Sequence, residues 1–159
     1  MKKIFSFVIV LLLVTSCLQE KQPKYIFYFI GDGMGVNQVL ATEMYFAAKK
    51  GFIGTDSLAF SEFPIATFST TYSRYNAVTC SAAAGTALAS GYKTRKGAIG
   101  MDSLLHKPLY SVAHYAKGIG KSVGIVTSVS IDHATPAAFY AHQPNRSMAY
   151  EIANDAILS

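Results

Sequence analysis

Cysteine is scarce in this sequence, charge is thin, and basic residues never gather into a run. The 159 residues include two cysteines, Cys17 and Cys80. Cys17 closes a leader-like N-terminus, which leaves Cys80 without an internal partner and excludes a disulfide framework. Charged residues make up 14% and hydrophobic ones 51%, which excludes a self-repelling disordered chain and suits one domain with a sizeable core. With no arginine-rich run and no repeated aromatic platform, nucleic acid is excluded as a partner. The formal charge is +5; without Lys2 and Lys3, twelve basic against nine acidic side chains leave +3, a mild pull on anions.

The one strongly apolar run, Ile4 to Val14, is too short for a comfortable membrane span. Preceded by Lys2-Lys3 and followed by Thr15-Ser16-Cys17, it reads as an export signal. Val14-Thr15-Ser16-Cys17 is similar to the lipobox of bacterial lipoproteins, in which the cysteine becomes the lipidated N-terminus. The expectation is a signal peptide over 1–16, a tether over 17–24 and a folded part over 25–159. That makes the product an exported lipoprotein, membrane-anchored in the periplasm or on the cell surface. The alternative is a plain signal peptide whose apolar region ends at a cysteine.

Several familiar ligand loops are also missing. Gly31-Asp32-Gly33-Met34-Gly35 brings its third glycine one residue early for a dinucleotide fingerprint, and its acid would repel a pyrophosphate. Gly91-Tyr92-Lys93-Thr94 lacks the spacing of a P-loop. No G-x-S-x-G surrounds Ser81, which counts against an α/β-hydrolase triad.

What remains has an α/β rhythm. Tyr25 to Ile30 is a continuous apolar run, the mark of a strand buried on both faces. A helix follows from about Asn37, with Lys49-Lys50 in its last turn and Gly51 as terminator. After an irregular stretch over 52–64, Ala66 to Tyr72 alternates as a strand does. Ser81 opens a small-residue helix that stops at Gly91. Pro108 to Lys117 reads as a helix closed by Gly118, and Ser122 to Val129 as a second buried strand. Pro136 suits the first turn of a helix through Tyr140, and Ser147 could cap a last one. The predicted fold is α/β: a mostly parallel central sheet with helices on both faces. The sequence stops at Ser159 in helical spacing with no stop signal, which reads as cut rather than finished.

Two residues stand where chemistry is easiest. Asp32, flanked by glycines at a strand's carboxyl end, is either a metal ligand or a turn former. Ser81, at a helix start, is either an ordinary cap or a nucleophile beside free N–H groups that favour an anion.

Ile30-Gly31-Asp32-Gly33-Met34-Gly35, then Thr79-Cys80-Ser81-Ala82-Ala83, Gly91-Tyr92-Lys93-Thr94 and Gly97-Ala98-Ile99-Gly100-Met101-Asp102, then His133-Ala134-Thr135-Pro136 together resemble the alkaline phosphatases. The stretches fall in family order and cover nearly all of the chain after the leader. The resemblance implies a metal-dependent phosphomonoesterase with zinc and magnesium as cofactors and phosphomonoesters as substrates. It implies that Ser81 is the phosphorylated nucleophile, itself at the metal, and that Asp32 bridges a zinc and a magnesium ion. Thr135 would then be a magnesium ligand and Arg146 the phosphate clamp. His133 falls near the magnesium at a position that varies within the family. A homodimer is an assembly the resemblance allows.

Two departures follow. Many members carry Asp before the nucleophile, where it can help hold the arginine; here Cys80 stands there and becomes an alternative nucleophile. The family's later His and Asp ligands and a magnesium-binding Glu have no counterparts, which leaves His106, His114 and His142 as the first substitutes to test. The competing readings are a phosphodiesterase or sulfatase of the same superfamily, and a non-catalytic phosphate- or metal-binding lipoprotein if the product ends at 159.

Overall fold

The computed structural model describes residues 23–159, so the signal peptide, Cys17 and most of the tether lie outside the described residues. The chain divides into two units at Gly31/Asp32. Of the first unit, residues 25–30 form no regular element, and Phe27 and Phe29 are largely exposed.

The second unit is helical. Helix α1 spans Val36–Lys49, a 3-10 turn follows at Ala59–Glu62, then α2 at Ser81–Ser90, α3 at Val112–Gly118, α4 at Ala134–Ala137 and α5 at Ala149–Leu158. Helix α1 starts where Gly35 N–H donates to the Gln38 side chain at 3.0 Å, and Lys49 faces the carbonyl end of the dipole. Helix α2 begins after Cys80, whose extended backbone (φ −135°, ψ 164°) makes it the N-cap. It ends at Gly91 in the left-handed conformation (φ 78°), the geometry a glycine terminator permits.

The core joins α2 to the C-terminal third of the chain. Ala82, Ile99, Ala134, Ala137, Ala141 and Ile152 are buried together, with Cys80 and Tyr140 against them. Small residues allow this closeness: a Cβ on Gly85 of α2 would lie 3.1 Å from Ala138 Cβ and 3.5 Å from Thr135 Cα. Thr86 ties α2 to the next loop, accepting from Gly100 N–H at 3.0 Å. That loop pairs antiparallel with the segment after α4: Ile99 and Gln143 exchange both backbone hydrogen bonds at 2.9 Å.

The mostly parallel central sheet is not present among the described residues, which hold two isolated bridges, Ile99 to Gln143 and Met101 to Pro108. The stretches over 25–30, 66–72 and 122–129 carry no regular secondary structure and no ladder, with bends at 128 and 129. An apolar or alternating pattern sets extended backbone, but a ladder needs a neighbouring strand about 4.8 Å away, and none of these stretches supplies one to another. Over 66–72 a cation takes the carbonyls instead: Lys93 Nζ donates to Thr70 O at 3.1 Å and to Tyr72 O, and rests 3.4 Å above the Tyr72 ring centroid.

Three helix boundaries also differ from expectation. Helix α3 starts at Val112 rather than near Pro108, because Pro108 is taken up by its bridge and the Ser111 hydroxyl accepts His114 N–H as the cap. Helix α4 runs Ala134–Ala137, with Pro136 inside its first turn, and residues 138–140 continue as turns. Met148, not Ser147, precedes α5, since the Ser147 hydroxyl donates to the Asn145 side chain at 2.9 Å.

Candidate active site

Packing α4 against α2 brings together side chains that are far apart in sequence. Thr135, in the first turn of α4, donates its hydroxyl to Asp32 Oδ2 at 2.8 Å across 103 positions. That bond is the largest of the effects that hold the Asp32 carboxyl below the ordinary range; burial opposes it, and the Ser81 hydroxyl and the charge of Arg146 act with it. Asp32 is exposed, while Ser81, Thr135, His133 and Arg146 are half-buried around it. Ser81 is the first residue of α2, where the backbone N–H groups lack helix partners. An anion resting at the Ser81 hydroxyl would therefore meet N–H donors and a positive dipole end.

Arg146 reaches the cluster from the segment after α4. Its backbone N–H donates to Gly97 O at 2.8 Å, and its Nη2 lies 3.3 Å from His133 Nε2. A guanidinium only donates, so the contact requires His133 Nε2 to be unprotonated and to accept. His133 Nδ1 is buried with no hydrogen-bond partner among the described residues. Cys80, beside Ser81, accepts Gly97 N–H on its sulfur at 3.3 Å. Burial pushes the Cys80 thiol up, but the N–H groups of Ala83, Gly97 and Ala82 and the charge of Arg146 outweigh it, so the thiol lies below its ordinary value.

The structure thus gathers Asp32, Ser81, Thr135, His133 and Arg146. It does not bring the other histidines to them. His142 Nδ1 sits 2.8 Å from Gly100 O, His114 stacks on Tyr110 with centroids 4.5 Å apart, and His106 is exposed. A cavity of about 690 Å³ lined by His114, Lys117, Lys121, Tyr140 and His142 lies apart from the cluster, with none of its five side chains in the lining. Sequence reasoning missed Gly97, whose carbonyl holds the Arg146 backbone. The only signal was its place in the Gly97-to-Asp102 stretch, which named a resemblance without a role.

The donor set is a test of the metals the resemblance implies. A carboxylate and two hydroxyls are hard oxygen donors, which fits magnesium as one or two protein ligands completed by water. Among the described residues no three of His, Cys, Asp and Glu converge, so a tetrahedral zinc set is not complete within them.

Solved structures similar to this chain include alkaline phosphatases. The cold-active alkaline phosphatase of the psychrophile Shewanella sp. superimposes with a TM-score of 0.73 at 34% identity, over 81% of this chain and 32% of that one. A variant of the TAB5 alkaline phosphatase with Mg bound in its M3 site gives 0.63 at 32% identity, over 73% of this chain and 33% of that one. In sequence, alkaline phosphatase 4 of Drosophila melanogaster is 40% identical over 131 residues, 77% of this chain and 22% of the relative. The tissue-nonspecific isozyme of Rattus norvegicus is 35% identical over 139 residues, 81% of this chain and 26% of the relative. The family model for alkaline phosphatase matches residues 23–157, and the chain belongs to that family. It spans about a quarter of the length of the curated relatives it matches.

Proposed function

We propose that the protein hydrolyses phosphate monoesters through a phosphoserine at Ser81, with Asp32, Thr135, His133 and Arg146 as its neighbours in the site. The observation that carries this reading is the carboxyl of Asp32, which accepts the Thr135 hydroxyl at 2.8 Å and is also reached by the hydroxyl of Ser81 at the start of α2. Ser81 Oγ attacks phosphorus, the bond to the ester oxygen breaks, and the alcohol leaves with a proton from water. The proton from the Ser81 hydroxyl passes to solvent. Water then attacks the phosphoserine, releasing inorganic phosphate and restoring Ser81. The guanidinium of Arg146 can pair two phosphate oxygens, and the α2 N–H groups meet the charge that builds up.

Zinc and magnesium are the metals proposed with this activity; bound there, such cations neutralise phosphate charge and lower the pKa of a coordinated hydroxyl. Asp32 and Thr135 would hold magnesium, with His133 at its edge, and Asp32 and Ser81 would offer zinc two donors. The chain is proposed to act as an exported lipoprotein anchored through Cys17, on phosphomonoesters. The phosphodiesterase and sulfatase readings have no observation of their own in favour.

The test is Ser81→Ala in the protein expressed from its own gene. Turnover of a phosphomonoester should fall by roughly a thousandfold or more, with a residue of direct attack by water. Activity within a few fold of the parent would overturn the reading.

A further inference from the structure

We infer that Cys80 is a positioning residue for Arg146, acting through the two backbone groups of Gly97. The inference rests on the reading above that Arg146 clamps the phosphate. Cys80 is fixed at the start of α2, its carbonyl accepting Ala84 N–H at 2.9 Å. Its sulfur accepts Gly97 N–H at 3.3 Å, and the carbonyl of the same Gly97 accepts Arg146 N–H at 2.8 Å. One residue therefore spans the gap between the neighbour of Ser81 and the backbone of Arg146, using its donor on one side and its acceptor on the other. Gly97 adopts φ +90°, a region where a side chain is strained, so the bridge also depends on its being glycine.

The alternative anchor for this segment is two residues away. Ile99 and Gln143 exchange backbone hydrogen bonds at 2.9 Å and hold the far end of the same pairing. With both anchors present the Arg146 backbone is fixed on two sides. Without the sulfur, Gly97 keeps its bond to Arg146 but loses its tie to the start of α2, and the guanidinium loses part of its preorganisation toward the phosphate position. Cys80 also packs against the core cluster, so a filler of similar volume separates the hydrogen bond from the packing.

The experiment compares Cys80→Val, Cys80→Ser and Cys80→Ala, each alone and with Arg146→Ala, by the inhibition constant of inorganic phosphate and by kcat and KM. Val keeps the volume and has no acceptor, Ser keeps an acceptor, and Ala serves if the branched side chain disturbs the start of α2. Cys80→Val and Cys80→Ala should weaken phosphate inhibition by about three- to tenfold, the range for one neutral hydrogen bond. KM should rise by a similar factor, kcat should change little, and Cys80→Ser should recover most of the loss. In an Arg146→Ala background the Cys80 effect should vanish, because a residue that acts through Arg146 has nothing left to position. An unchanged constant in Cys80→Val, or a full effect that persists beside Arg146→Ala, would overturn the inference and leave the clamp intact. If Arg146→Ala itself leaves phosphate inhibition unchanged, the clamp reading falls, and this inference with it.

Discussion

Asp32 shows how far one hydrogen bond carries at the residue scale. Thr135 donates to it at 2.8 Å, and this is the largest cause of its lowered pKa. A carboxyl whose folded value lies below its ordinary 3.8 contributes stability that is present above that value. The contribution is lost as pH falls through the lowered value. Thr135→Ala should move the Asp32 pKa back up toward 3.8 and make stability less dependent on pH below it. Carboxyl titration by NMR on metal-free protein reads this directly; an Asp32 value that stays low in Thr135→Ala would assign the shift to Ser81 and Arg146 instead. His133 is a subtler case. Its Nε2 accepts from Arg146 at 3.3 Å, so in this state the ring serves the arginine rather than a cation.

Helix α2 and the short α4 are the elements that make the site. Their contact rests on Gly85, where an added Cβ would come within 3.1 Å of Ala138 Cβ. Gly85→Val should cost about 1–3 kcal/mol of stability, the range for overpacking, and should lower activity by parting Thr135 from Asp32 and Ser81. Denaturant unfolding and turnover check the two effects; unchanged values for both would show that the helices do not need this contact. Much of this was legible in the sequence. The start of α2 at Ser81, its stop at Gly91 and the extent of α1 follow from local signals that no distant contact competes with. The start of α3 was not legible, because the bridge that removes Pro108 depends on Met101, seven positions away. Nor was the lack of a paired sheet among the described residues, since strand pattern is local and strand pairing is not. Lys93, which occupies the carbonyls of Thr70 and Tyr72, gave no local sign of that role.

On the scale of the whole molecule, the alkaline phosphatase resemblance proved the strongest signal, and matching the family over residues 23–157 bears it out. The convergence of Asp32, Ser81, Thr135 and Arg146 was foreshadowed only through that resemblance, because residues 103 positions apart leave no spacing to read. Location is a separate claim. If Cys17 carries lipid, the protein should partition with membranes and Cys17→Ala should release it or leave it unprocessed. Unchanged partitioning and processing in the variant would remove the anchor from the account. The central claim is the identity of the nucleophile. It is tested most directly by mixing the protein with a labelled phosphomonoester, quenching in neutral denaturant and mapping the phosphate by peptide mass spectrometry. The account predicts phosphate on Ser81, absent from Ser81→Ala; phosphate on Cys80, or none on the protein during full turnover, would contradict it.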